Sequence, residues 1–374
     1  MNRERKLKLW VMTNEFHPNI IGGLGVAATH LAKALSNAGL EVTVLCSGDS
    51  GAPALMNPGG MQRILRLPKA SYYFSRPSQS FKPGAVLRSA AANQCSKPDL
   101  IHVHSTEFAA VAAAAGSLYR VPIVYTCHSM VSAGARSPAG QNQAKLIRIA
   151  SRITVPSKWQ AAEIIRLYPG SHTKITVIPH GVNFVSRHAN ISPVKLLYVG
   201  RLIPSKGIEA LIKAIALLSR NRKEVSLTIV GSGKAQYVNH LYTVARNSGI
   251  ANRIHWMKKS SNDAVQRMYP SYGAVIVPSR KESFCLVALE AMASGVPLVS
   301  TLSGGLKEFV NPRNAQVIAS VDSSAIARAI AAMWKNPART KQRVNAAQRT
   351  AARYRWPAIA LRYQSLFMNL KKGR

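Results

Sequence analysis

The sequence predicts an α/β protein of two domains, each a parallel sheet wrapped by helices, with the two domains facing each other across a cleft. Three observations carry this. The chain has 374 residues, more than one ordinary core of about 100 to 200 residues holds. Short apolar runs alternate with segments of helical period, the pattern of strands joined by crossover helices. The alternation then starts again near residue 194, so the second half repeats the plan of the first. Hydrophobic residues make up 47% of the chain and no long stretch lacks them, which excludes a mainly disordered protein.

In chain order, LKLWVMT is the first strand, and GVAATHLAKALSNAGL is a helix with Val26, Leu31, Ala34 and Leu35 on one face. VTVL, LIHVH, PIVYT and RITVP continue the first sheet. VKLLYVG at 194–200 opens the second sheet, followed by SLTIVG, RIHWM, GAVIVPS and PLVST with helices between them. Both halves therefore read as Rossmann-like. The polar, irregular FVSRHANISP, within 183–193, marks the boundary between them. Residues 338–370 are helical apart from a break at Trp356-Pro357, where proline forces a new start or a kink. The expected domains are 1–185 and 186–345, with 346–374 a helical segment crossing back to the first domain.

Charge and cysteines bound the partners and the compartment. Fifty basic residues against 14 acidic ones give a net charge of +36, which attracts polyanions without choosing among them. The excess is uneven: residues 63–97 hold seven Lys or Arg and no acid, and 335–374 hold eleven and none. In 63–97 the cations are interleaved with Tyr72, Tyr73, Phe74 and Phe81, a combination that suits an anionic lipid or charged glycan surface. The four cysteines, Cys46, Cys95, Cys127 and Cys285, form no CxxC pair and indicate neither zinc nor disulfides. The basic N-terminus lacks the apolar core of a secretory signal, and no apolar run reaches the roughly 20 residues of a membrane span. The expected location is cytoplasmic, with peripheral contact at the inner membrane face and no specific nucleic-acid partner.

Three segments carry candidate chemistry. The first strand runs through EFHPNII into Gly22-Gly23-Leu24-Gly25 and straight into a helix, whose first amides suit a phosphate or sugar hydroxyl; the alternative is a purely structural glycine turn. Neither this segment nor Gly231-Ser232-Gly233 has the spacing of the dinucleotide fingerprint, so an oxidoreductase loses its main support. In VGRLIPSKG, Arg201 and Lys206 flank a turn after the second domain's first strand, where paired cations offset a diphosphate leaving group; two scattered surface cations are the alternative. In VPSRKESFCLVALEAMASGVPLVST, Glu282 stands just before a helix and Glu290 within it. A carboxylate on the helix accepts hydrogen bonds from a ribose diol, while the amides of Phe284, Cys285 and Leu286 face an anion; a solvated acidic pair is the alternative.

Taken together, GGLG, KPDLIHVHS, VYTCHS, VPSKW, VIPHGVN, GRLIPSKG, LTIVGSG, ESFCLVALEAMASGVPLVS, GGLKEFV and the late Trp356 closely resemble glycosyltransferase family 4, the retaining enzymes of GT-B architecture. The resemblance spans nearly the whole chain. It implies transfer of a hexosyl group from a nucleoside-diphosphate sugar to a saccharide or lipid-linked acceptor, as in polysaccharide biosynthesis, with no cofactor beyond that co-substrate. By it, Arg201 and Lys206 hold the diphosphate, Glu290 binds the ribose and Glu282 contacts the transferred sugar. Gly22 and Gly23 touch phosphate or acceptor, and His128 sits by the sugar at the reaction centre. Gly304, Gly305 and Glu308 match a further loop near the donor. No metal is expected, and His102 and His104 are not expected to ligate one.

The chain also departs from the family's pattern. Cys285 stands where glycine is usual, Asn183 replaces a common aspartate, and NPRNAQVIAS is a degraded late loop. Two other functions fit parts of the sequence. A catalytically lapsed GT-B polyanion-binding protein predicts salt-sensitive binding without transfer. A phosphorylase of similar architecture lacks support, because no lysine segment for pyridoxal phosphate is evident.

Overall fold

The computed structural model describes residues 6–49, 52–131, 134–184, 192–222, 224–258 and 260–373. The chain divides into two compact units, residues 1–181 with 356–374, and residues 182–355.

The first unit is built on an eight-stranded sheet among the described residues. Its spatial order is Ile175–Val177, Arg152–Val155, Ile123–Thr126, Leu100–Val103, Lys8–Thr13, Glu41–Gly48, Gln62–Pro68 and Ala54–Gly59. All neighbours are parallel except the last pair. That edge hairpin adds one antiparallel strand to the expected parallel sheet. Gly59 (φ +108°) and Gly60 (φ +63°) supply its left-handed turn, and Pro58 is tolerated because the strand lies at the edge.

The central strand shows why its sequence is a near-continuous apolar run. Trp10 and Met12 enter one core with Leu45, Leu65 and Ile101, while Leu9 and Val11 enter the other with Val42, Val44 and Leu100. Both faces are covered, so alternation with polar residues is lost. The second of these cores is closed by the C-terminal helix Trp356–Lys372, which buries Trp356, Ile359, Ala360, Tyr363 and Phe367 along one stripe. Trp356 packs directly on the backbone of Gly181; a Cβ there would lie 2.3 Å from the indole.

The second unit has a six-stranded, fully parallel sheet among the described residues. The order is Ile254–Met257, Ser226–Val230, Lys195–Val199, Ala274–Val277, Leu298–Ser300 and Gln316–Val317, so its first and fourth strands lie side by side. This is the strand order of the doubly wound Rossmann fold, whose ligands bind beyond the carboxyl ends at the point where the order reverses. In the first unit the same reversal falls between Lys8–Thr13 and Leu100–Val103.

The units part at residues 181/182 and 355/356, not at 185 and 345. The helix Pro337–Ala351 stays with the second unit because Ala347 and Ala351 pack in the same core as Ala288, Leu289 and Met292 of the helix Leu286–Ala293. The chain crosses back only at Trp356, where the proline that follows starts the last helix. Most of the 183–193 boundary segment lies outside the described residues.

Candidate functional site

Each unit places its chemistry at its own switch point. In the second unit the strand Lys195–Val199 ends at Gly200, and Arg201 follows, exposed. The loop is locked against the next strand's end, since Leu202 N–H donates to Ser232 O at 2.8 Å. A Cβ on Gly231 would meet Gly200 O at 1.9 Å, and one on Gly233 would meet Leu202 O at 2.2 Å. Gly231 and Gly233 are therefore packing glycines, which explains their failure to match a dinucleotide motif.

Lys206 closes a short 3₁₀ turn, Pro204–Lys206, and Gly207 begins the helix Ile208–Ser219 with φ +71°, where a Cβ would lie 2.2 Å from Pro278 O. That close approach brings Lys206 to the loop after the fourth strand. Lys206 Nζ donates to Glu282 Oε1 at 2.6 Å, and Ser279 Oγ donates to the same oxygen at 2.7 Å. Glu282 is 8% exposed. Its backbone carbonyl accepts from Gly305 N–H at 2.9 Å, and Gly304 (φ +56°) leaves no room for a Cβ beside it. Thr301 Oγ1 and Ser303 Oγ both donate to Ser279 O, at 2.7 and 2.8 Å. The predicted Gly304-Gly305 loop thus braces Glu282.

Glu290, buried in the helix Leu286–Ala293, accepts from Tyr269 Oη at 2.7 Å and from Asn262 Nδ2 at 3.3 Å. The carboxylate is oriented while further lone pairs remain for a ligand hydroxyl. The beginning of this helix differs between its residues. The Phe284 ring is core, tilted against Phe309 at 5.0 Å, so only its backbone is available to a ligand. Cys285 caps the helix with φ +82°, a left-handed conformation that costs a non-glycine residue about 1 kcal/mol or more. Burial and the neighbouring Glu282 push its thiol up, with Lys206 opposing. Cys285→Gly is accordingly expected to raise stability by about 1 kcal/mol despite the looser unfolded chain, read as a higher Tm.

In the first unit, Glu15 governs the glycine loop. Its Oε2 accepts from Ile21 N–H and Gly22 N–H, both at 2.8 Å, and Gly25 has no Cβ because one would collide with Glu15. The expectation that the Gly22 amide stands open to phosphate is thereby corrected: it is held by a carboxylate. Gly23 is exposed and opens the helix Gly23–Asn37.

His128 belongs to a ladder of four histidines. His104 Nδ1 and His128 Nε2 are 2.9 Å apart, and His128 Nδ1 and His180 Nε2 are 3.3 Å apart. The His102 ring lies tilted 4.2 Å from that of His104 and bonds Thr126 Oγ1 at 2.7 Å. Thr126 and Thr154 in turn meet Tyr363 Oη of the C-terminal helix, at 3.3 and 3.2 Å. Burial lowers the pKa of His102 to about 3 and of His180 to about 4. Burial and the adjoining histidines hold His104 and His128 well below the ordinary value. All four are neutral near pH 7. Among the described residues no group of three or more His, Cys, Asp or Glu is arranged to hold a metal ion.

Nothing in the order of residues marks Glu15, Ser279, Tyr269, Asn262 or His180: Tyr269, Asn262 and His180 meet partners 21 or more residues away, and Glu15 and Ser279 meet theirs only through the way their own loops fold. The basic, aromatic stretch is also smaller than predicted. Phe81 is buried against Phe108 at 4.5 Å, leaving Tyr72 exposed with Lys69, Arg76, Lys82 and Arg88. Among the described residues no helix is long and apolar enough to cross a membrane.

Residues 21–185 match the model of Glycosyltransferase Family 4, and residues 184–351 match that of Glycosyl transferases group 1. A glycogen synthase from Mycobacterium tuberculosis is 28% identical over 398 residues, covering 98% of this chain and 96% of that protein. A D-inositol 3-phosphate glycosyltransferase from Catenulispora acidiphila is 28% identical, covering 91% and 88%. Sucrose-phosphate synthase from Thermosynechococcus elongatus superposes with a TM-score of 0.82 at 21% identity, covering 99% and 100%. Anabaena HepE in complex with UDP-glucose superposes at 0.78 with 20% identity, covering 97% and 100%. These likenesses show the GT-B fold.

Proposed function

We propose that this chain, whose two halves match the models of Glycosyltransferase Family 4 and Glycosyl transferases group 1, moves a hexosyl group from a nucleoside-diphosphate sugar to a saccharide or lipid-linked acceptor, retaining anomeric configuration and using no metal ion or cofactor. The observation that carries this reading is the Lys206–Glu282 pair at the second unit's switch point, 2.6 Å apart and braced by Ser279 and the Gly304 loop. Lys206 and Arg201 provide fixed positive charge where the departing diphosphate gains negative charge. Peptide amides at the start of the helix Leu286–Ala293 add to it. Glu290, aimed by Tyr269 and Asn262, accepts from the ribose hydroxyls. Glu282 accepts from hydroxyls of the transferred sugar, and its bond to Lys206 ties sugar position to phosphate position.

In the transfer step the bond from the anomeric carbon to the phosphate oxygen breaks as the acceptor oxygen bonds to the same face. The acceptor's proton passes to the departing phosphate, so no protein base is required. His128 sits by the sugar at the reaction centre. Since Glu15 occupies the Gly22 amide, Gly22 and Gly23 shape the loop that receives phosphate or acceptor, with Gly23 the more open of the two.

Relatives of this chain name glycogen synthesis and inositol phosphate glycosylation, and one structural neighbour holds UDP-glucose; these favour a glucosyl-type donor. A turnover and thermal-shift screen across UDP-, ADP- and GDP-sugars tests the proposal. One donor is expected to raise the Tm and be consumed, at an unchanged rate with EDTA present. Donor binding without turnover on any acceptor would instead mark a lapsed transferase, and loss of activity in EDTA would refute the metal-free mechanism.

Tyr72 with Lys69, Arg76, Lys82 and Arg88 forms a basic, amphipathic patch that fits peripheral contact with an anionic membrane surface. Co-sedimentation with phosphatidylserine vesicles at low salt is expected, weakened by Lys69→Glu with Arg88→Glu. Equal sedimentation of the double variant would remove this patch from consideration.

A further inference from the structure

His128 has both ring nitrogens engaged within the ladder, which leaves open how it also meets a sugar. The direction of the protons answers this. His104 is 3% exposed and its Nε2 has no hydrogen-bond partner. A buried N–H without an acceptor is rarer and costlier than a buried acceptor without a donor. The single proton of neutral His104 therefore rests on Nδ1, the nitrogen 2.9 Å from His128 Nε2. That bond makes His128 Nε2 an acceptor, so the His128 proton rests on Nδ1, directed at His180 Nε2 at 3.3 Å. His102 follows the same rule: Nδ1 has no partner, and Nε2 bonds Thr126. The two bonds to His128 are unequal, because 2.9 Å is the ordinary length and 3.3 Å is beyond it. One end is anchored and the other is exchangeable.

We propose that His104 is a positioning residue that fixes His128 as the Nδ1–H tautomer, so that a hydroxyl of the transferred sugar replaces His180 as the acceptor of that proton. The proposal rests on the assignment of His128 to the donor sugar made above. The ladder is stiffened from behind by the C-terminal helix, since His102 lies between His104 and the rings of Tyr363 and Phe367 at 5.2 and 5.4 Å. The returning helix thus braces the clamp as well as the core.

The test uses the full chain labelled with [15N]histidine and two-bond 1H–15N spectra, which distinguish the two tautomers. The wild-type spectrum is expected to show His128 protonated at Nδ1; protonation at Nε2 overturns the proposal without any variant. His104→Asn keeps an N–H near the position of Nδ1, and kcat is expected to stay within about fivefold. His104→Asp puts an acceptor there, moves the His128 proton to Nε2, and is expected to lower kcat by about 100-fold at nearly constant KM. Equal kcat for the Asn and Asp variants, high or low, overturns the clamp. If His128→Ala turns over at the wild-type rate, the assignment of His128 to the sugar fails. The wild-type spectrum still decides the clamp in that case.

Discussion

Lys206→Ala is expected to slow sugar transfer by about 10²- to 10³-fold, equivalent to about 3 to 4 kcal/mol of barrier. The lysine is fixed by the Pro204–Lys206 turn and by Glu282, so its charge stands in place before the diphosphate develops its own. Charge that needs no reorganisation during the reaction lowers the barrier more than charge that must be moved into position. The loss should fall mainly on kcat, since leaving-group charge is largest in the transition state. Lys206→Arg should recover only part of it, because a planar guanidinium does not reproduce the 2.6 Å point contact with Glu282. Removing the lysine also leaves a carboxylate buried without its counter-ion, so stability should fall by about 1 to 3 kcal/mol. Measuring kcat, KM and Tm together separates the two effects. A kcat within threefold of wild type in folded protein would remove Lys206 from the transfer step.

The second large effect is acid lability of the first unit. His102, with its pKa lowered to about 3, and His180, lowered to about 4, titrate near 6.5 once unfolded; His104 and His128 are lowered as well. The sign is that of depressed groups. Their stability is fully present above pH 6.5, where both states are neutral, and it is lost as pH falls toward the folded values because the unfolded chain takes up the protons. Each such histidine removes up to about 1.4 kcal/mol per pH unit below 6.5. His102 and His180 together approach about 3 kcal/mol per unit, with His104 and His128 acting in the same direction, against a typical domain stability of about 5 to 15 kcal/mol. Unfolding is therefore expected between pH 6 and 4, beginning above the range in which carboxylates titrate. Calorimetry across that window should show a steep fall in Tm, made shallower by His102→Gln. A Tm flat from pH 6.5 to 4 would contradict the buried, neutral ladder.

Much of this protein was legible in its order of residues. Alternating apolar runs and helical periods require strands and crossover helices, because each element must bury an apolar face on its neighbours, and VKLLYVG marks where that plan begins again. The acidic pair Glu282 and Glu290, scarce carboxylates in a chain of 14, and the Arg201 and Lys206 turn could be singled out because their spacing sets them on one strand-to-helix connection. What escaped the sequence depends on how loops fold back on themselves and on pairs far apart along the chain. Glu15 closing the Gly22 amide changes what the glycine loop offers, and Tyr269 aims Glu290 from 21 residues away. Phe81 reads as surface beside its basic neighbours until Phe108 covers it. The strained φ of Cys285 appears only once the helix is built over Glu282. The histidines show the division most clearly. The residues His102, His104, His128 and His180 are written in the sequence, yet nothing in their spacing makes them neutral or directs their protons. Parallel strands carry three of them to one end of the sheet, and the returning helix seals His102 with Tyr363 and Phe367. Local sequence decides which groups are present, whereas burial and long-range hydrogen bonds decide their charge and aim.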